Sequence, residues 1–217
     1  MKKSNWGGAR PGAGRKPGPI RMVPHRARPT HRAAHPVHVT LRARAGLPSF
    51  REAAIFGALR DAIAASAQSA ILGSSFRILH FSVQTNHLHL IVEATDEAAL
   101  SRGMRGLGTR LARAIHGALR TKGRVWAERY DSRALRNPSE VRAALVYVLM
   151  NAKKHGARIT GIDRFSSAPW FDGFVGATPS SSGCPTVAPK TSLAATGWRK
   201  LGLIRLDERP ASSEPST

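Results

Sequence analysis

The stretch Thr85-Asn86-His87-Leu88-His89-Leu90-Ile91-Val92-Glu93 constrains the fold more than any other part of this chain. Its pattern reads as a strand. Side chains alternate faces along a strand, so His87 and His89 point one way while Leu88, Leu90 and Val92 point the other. A sheet containing it must bury one face in an apolar core and carry two imidazoles on the other. Two imidazoles on one face suit two ligands of a single metal ion. Taken alone, the pair is better described as a strand exposed on one side. The surrounding chain has to decide.

Phe76 to Gln84 reads as a strand that pairs with the histidine strand through a short bend. Upstream, Val37, Val39 and Leu41 alternate with His38, Thr40 and Arg42, a half-buried strand that could bring His38 toward a site. Ser49-Phe50-Arg51-Glu52 has the form of a capping box, predicting a helix to about Gln68 with Phe56, Leu59 and Ile63 on one stripe. Asp96 caps a second helix, in which Leu100, Met104, Leu107, Leu111 and Ile115 recur at three- and four-residue spacing. Trp126 to Leu135 predicts a further strand with an irregular entry. Asn137-Pro138-Ser139-Glu140 opens a last helix, expected to run to His155 and stop at Gly156. The order is strand, helix, strand, strand, helix, strand, helix. It predicts an α+β protein: a ferredoxin-like split βαβ unit with a mainly antiparallel sheet, plus a C-terminal helix.

On that last helix Val141, Ala144, Leu145, Val148, Leu149 and Ala152 form the apolar stripe. Tyr147 and Asn151 sit together at its edge, one turn apart. His155 follows a turn later, and Lys154 lies beside Tyr147. If one site draws on both elements, the Tyr147 helix should cover the histidine face of the sheet. A lone tyrosine at this position also suits an edge-of-core residue with its hydroxyl in water. Tyr130 is the only other tyrosine.

Charge identifies the class of partner. The 34 Lys and Arg residues, 26 of them Arg, face 13 Asp and Glu, for a net charge of +21. Such an excess points to a polyanion, because phosphates bound by Lys and Arg release condensed counterions. Arg102, Arg105, Arg110, Arg113 and Arg120 share the polar face of the second long helix without acidic partners, which suits phosphate contacts better than a merely solvated face. The first 35 residues hold no acid and are rich in Gly, Pro and Arg; Arg10, Arg15 and Lys16 lie there. That composition predicts a disordered DNA-binding arm over residues 1–34, acting through phosphates or as a minor-groove arm. Residues 35–156 form the expected folded domain, the one that would carry any catalytic site. Residues 157–217 make a loop-rich tail, with a docking segment at 193–206. The single cysteine, Cys184, excludes an internal disulfide framework and a cysteine-built zinc site. No apolar run approaches the about 20 residues that span a bilayer, so no membrane partner is expected.

Asn86-His87-Leu88-His89-Leu90, followed by a helix bearing Tyr147-Val-Leu-Met-Asn151, resembles the HUH single-tyrosine transposases, and within them the REP-associated (IS-two-hundred-like) branch. The basic Gly-Gly-Ala-Arg-Pro-Gly-Ala-Gly-Arg-Lys-Pro leader, the Trp126 to Leu135 segment and Gly197-Trp198-Arg199 fit the same resemblance. It implies the HUH endonuclease fold, Tyr147 as nucleophile, and His87, His89 and Asn151 as ligands of Mg²⁺ or Mn²⁺. It also implies attack on single-stranded or hairpin DNA to give a 5′-phosphotyrosine and a free 3′-hydroxyl, by a cytoplasmic protein acting at the bacterial nucleoid as a monomer or homodimer. The branch commonly has Pro after its Asn, whereas Ala152 and Lys153 follow here. Two other readings compete: a noncatalytic hairpin-binding protein or repressor of the same fold, and a metal-dependent nuclease using water, with Tyr147 structural.

Overall fold

The computed structural model describes residues 30–69, 75–151 and 161–210. Arg10, Arg15, Lys16 and Lys154, together with the expected helix end at His155 and Gly156, lie outside the described residues. Four strands, β1 (Val37–Arg42), β2 (Phe76–Val83), β3 (His87–Ala94) and β4 (Asp131–Ala134), form one antiparallel sheet in the order β2-β3-β1-β4. Helices α1 (Ala53–Ala67) and α2 (Glu97–Leu119) connect them in the split βαβ order, and α3 (Pro138–Leu149) follows β4. The expected α+β architecture is the one observed.

Both sheet faces are covered. Leu88, Leu90, Val92 and Ala94 of β3 pack with Val39 and Leu41 of β1 against α1 and α2. The expected α2 stripe, Leu100, Met104, Leu107, Leu111 and Ile115, is fully buried there. Asp96 caps α2 as its sequence implies, accepting the Ala99 amide at 2.7 Å. Gly103 lets α2 lie close to the sheet: a Cβ at this position would stand 2.2 Å from Cγ of Phe76. On the other face Leu79 and Ile91 pack under α3, and the tail closes over α3 with Phe171, Phe174, Trp198 and Ile204. Phe76 and Ile78, then Phe81 and Val83, all reach the first core because a bulge at Leu79 shifts the register of β2 between Ile78 and His80.

The capping box at Ser49 does not form. Phe50 is wholly buried and its amide donates to Thr85 O, which holds this stretch against the hairpin bend and out of the helix. Ser49 Oγ instead accepts the Arg51 amide at 3.2 Å, and α1 begins three residues later than expected, with Glu52 at its N-cap. The Asn137 cap forms as expected, accepting Glu140 N at 2.9 Å. At the far end, α3 leaves regular geometry at Met150 (φ −110°, ψ 10°), with no Gly or Pro there to mark it.

More of the tail packs than the 193–206 segment. Residues 165–167 line the outer edge of β2, with Val83 N donating to Phe165 O and Ser167 N to Phe81 O, so this edge strand is not left open. Arg51 clamps the segment by a bidentate pair with the buried Asp163 carboxylate, 2.7 and 2.9 Å. Further on, buried Glu93 accepts the amides of Lys190 and Thr191. No helix among the described residues is long and apolar enough to cross a membrane.

Candidate functional site

The α3 side of the sheet is unusually polar because strand register aligns polar positions in rows. Across one row stand Ser82, His89, Thr40 and Asp131; beside it lie Arg42 and His87 on one side and His80, Ile91, His38 and Arg133 on the other. His87 and His89 are two residues apart on β3, with ring centroids 4.7 Å apart and planes near perpendicular. His89 is only 4% exposed. His87 is half-buried at the strand end, its Nδ1 2.9 Å from Asn86 Oδ1.

Helix α3 lays Tyr147 over this face, as the sequence requires. The Tyr147 ring makes edge contacts with His89 at 5.0 Å and His38 at 5.6 Å between centroids. His38 and Thr40 both reach the same atom of His89: Nε2 of His38 is 3.3 Å and Oγ1 of Thr40 3.2 Å from its Nδ1. Burial pulls His38 down to about 4, with Asp131 opposing the shift and Arg133 adding to it. His38 is therefore neutral at pH 7.

Asn151 lies just beyond the break at Met150. The Met150 amide still donates to Val146 O at 3.0 Å, so the turn carrying Tyr147 is closed up to that point. Asn151 is 1% exposed, and neither its Oδ1 nor its Nδ2 has a hydrogen-bond partner among the described residues. An amide left in that state costs about 1–3 kcal/mol per group unless something fills the need. No group of three His, Cys, Asp or Glu side chains among the described residues is placed to hold a metal ion. An orphaned buried amide oxygen together with two imidazoles makes a donor set that fits a divalent cation.

The arginine face of α2 is exposed, with Arg102, Arg105, Arg110 and Arg113 surrounding a hollow of about 410 Å³. Arg110 also donates to Ser66 Oγ at 2.9 Å, so it ties α2 to α1. The same face opens into two larger hollows of about 630 and 1150 Å³ that share Arg105, Arg129 and Tyr130 and continue past Trp126 and Arg136. Thr30, the first described residue, lines the larger one. Together they make a basic trough on the α2 side and β4 edge. None of the three hollows is lined by His87, His89 or Tyr147. Sequence periodicity located the α2 arginines but not Thr40, Arg42 or Asp131, whose places follow from pairing between distant strands.

Comparison with known proteins agrees with this arrangement. No curated protein matches the chain. A solved structure, "Structure of the REP associates tyrosine transposase bound to a REP hairpin", is similar with a TM-score of 0.53 and 20% identity, over 67% of this chain and 82% of that one. At that identity the likeness is one of fold. The family model described as Transposase IS200 like matches residues 41–149, from within β1 to the last residue of α3, a span holding His87, His89 and Tyr147. With half its length matched by that model, and with the fold and residue order the family's pattern requires, the chain belongs to the IS200-like transposase family.

Proposed function

We propose that this transposase cuts and rejoins single-stranded DNA at REP-type hairpins through a covalent 5′-phosphotyrosine on Tyr147. The observation that carries the reading is the placement of Tyr147 against His89 on the one sheet face that also bears His87. Tyr147 Oη attacks the phosphorus of a phosphodiester and gives up its proton, since the oxygen is an effective nucleophile only once deprotonated. The P–O3′ bond breaks and the departing 3′ oxygen takes up a proton. The 5′ phosphate stays on the tyrosine. That ester conserves the energy of the cut bond, so a 3′-hydroxyl of another strand can displace Oη and complete a transfer, which hydrolysis could not allow.

His87, His89 and Asn151 would hold a divalent cation, Mg²⁺ or Mn²⁺. When bound, such an ion supplies Lewis-acid polarisation of the phosphate and stabilises charge on the leaving oxygen. The arginines of α2, the trough beside β4 and the basic segment 1–34 serve the remaining phosphates, which position a strand without reading its bases. Lys154 would add a further cation for the strand.

The test is a denaturing gel of the full chain incubated with labelled hairpin DNA and Mn²⁺. Wild type should carry a covalent DNA adduct. Tyr147→Phe should lose adduct and cleavage while keeping hairpin affinity. Tyr130→Phe should keep the adduct, because Tyr130 lines the trough on the other side. An adduct that survives Tyr147→Phe overturns the assignment. Cleavage without adduct in any protein points to a water-using nuclease, and tight binding with no cleavage points to a noncatalytic binder.

A further inference from the structure

We propose that Asn86 and Thr40 are positioning residues that fix His87 and His89 in the same ring tautomer, with the proton on Nδ1 and the Nε2 lone pair presented to a cation. The inference rests on the metal reading above.

A neutral imidazole carries one proton, and the nitrogen that carries it cannot be a ligand. At both histidines the neighbouring side-chain oxygen lies against Nδ1. Asn86 Oδ1 stands 2.9 Å from Nδ1 of His87. An amide oxygen only accepts, so this contact is a hydrogen bond only when Nδ1 bears the proton. At His89, Thr40 Oγ1 is 3.2 Å and His38 Nε2 3.3 Å from Nδ1. Two groups converging on Nδ1 leave no room there for a metal, so this ring can ligate only through Nε2. A ring that ligates through Nε2 carries its proton on Nδ1, where the Thr40 hydroxyl oxygen is placed to accept it.

The two supports come from unrelated places. Asn86 precedes His87 in the hairpin bend, whereas Thr40 arrives on β1, where register sets it opposite His89. Both produce one outcome, the proton on Nδ1 in each of two rings on one sheet face. Hydrogen bonding of a ligating histidine through its other nitrogen commonly changes metal affinity by 10–100-fold.

The experiment uses the full-length protein freed of metal by chelation. Long-range ¹H–¹⁵N spectra of the imidazoles, assigned with His87→Gln and His89→Gln, report which nitrogen is protonated. Mn²⁺ binding is measured on the same samples by electron paramagnetic resonance. In wild type both rings should show Nδ1–H. Thr40→Val should raise the Nε2–H fraction at His89, and Asn86→Leu should do so at His87, each with about a 10-fold or larger loss of Mn²⁺ affinity. Thr40→Ser and Asn86→Asp retain an acceptor and should keep Nδ1–H, and Thr40→Ser should also stay near wild type in Mn²⁺ affinity. Asn86 is exposed in the bend, so its variants test the idea even if Thr40→Val fails to fold. Wild-type rings protonated on Nε2, or Thr40→Val and Asn86→Leu proteins with unchanged tautomers and Mn²⁺ affinity, would overturn the proposal. Wild type that binds no Mn²⁺ but shows the stated tautomers and their dependence on Asn86 and Thr40 would instead overturn the metal reading and leave the tautomer assignment standing.

Discussion

Replacing Asn151 by Leu should make the metal-free protein more stable while destroying its metal response. The side chain is 1% exposed and both amide atoms are unpartnered among the described residues. Leu has the same branching at Cγ and no polar atoms to satisfy. Each orphaned polar group costs about 1–3 kcal/mol, so removing the pair should gain about 2 kcal/mol after allowance for imperfect fit. For a chain of this size that is a rise in Tm of about 4–8 °C. On the proposed metal reading, cation binding acts in the opposite direction: at about 100 times Kd, a bound ion would add about 2.7 kcal/mol to wild type alone. Urea unfolding with excess EDTA, then with saturating Mn²⁺, should therefore rank the two proteins in opposite orders. A variant that loses more than about 1 kcal/mol in EDTA would refute the reasoning, because it would mean the amide is satisfied in the metal-free fold and is there for structure.

Two glycines three residues apart in α2 should respond with opposite signs. Gly103→Ala drives a Cβ to within 2.2 Å of the Phe76 ring at its attachment carbon, a clash worth about 3 kcal/mol against a helix-propensity gain of about 1 kcal/mol. Gly106→Ala meets nothing within 4 Å and should stabilise by up to about 1 kcal/mol; equal shifts in urea midpoint for the two would sink the packing argument. His80, against Phe171 and Ser167 with Asp172 nearby, is pulled down by burial to about 4 from 6.5. Between those values the unfolded chain binds a proton that the folded one refuses, so stability falls as pH drops from about 6.5 to 4, by about 3 kcal/mol for this group. Unfolding free energies across that window should show a shallower slope in His80→Gln, with His38 supplying the remainder, and an unchanged slope would refute the assignment.

What the sequence determined by itself was whatever is encoded within a few residues. Two-residue alternation put His87 and His89 on one face and Leu88, Leu90 and Val92 on the other, and three- and four-residue spacing identified the large buried side chains of α2, though not buried Ala99, Gly103 and Gly108. The Asp96 and Asn137 caps formed because a cap needs only a side chain and an amide three residues on. The element order then restricted the topology to a split βαβ sheet. Tertiary structure decided the rest. The same local reasoning failed at Ser49, where Phe50 is claimed by the core and its amide by Thr85. Thr40 reached His89 only through the register of β1 on β3, a pairing of positions 49 residues apart that neither strand encodes alone. The bulge at Leu79, the Arg51–Asp163 clamp and the seating of the tail on Glu93 likewise depend on partners far along the chain. Local rules choose which face a side chain takes. Which side chains share that face is set by the competition of whole elements for one core, and it is there that the surroundings of Tyr147 and His89 were decided.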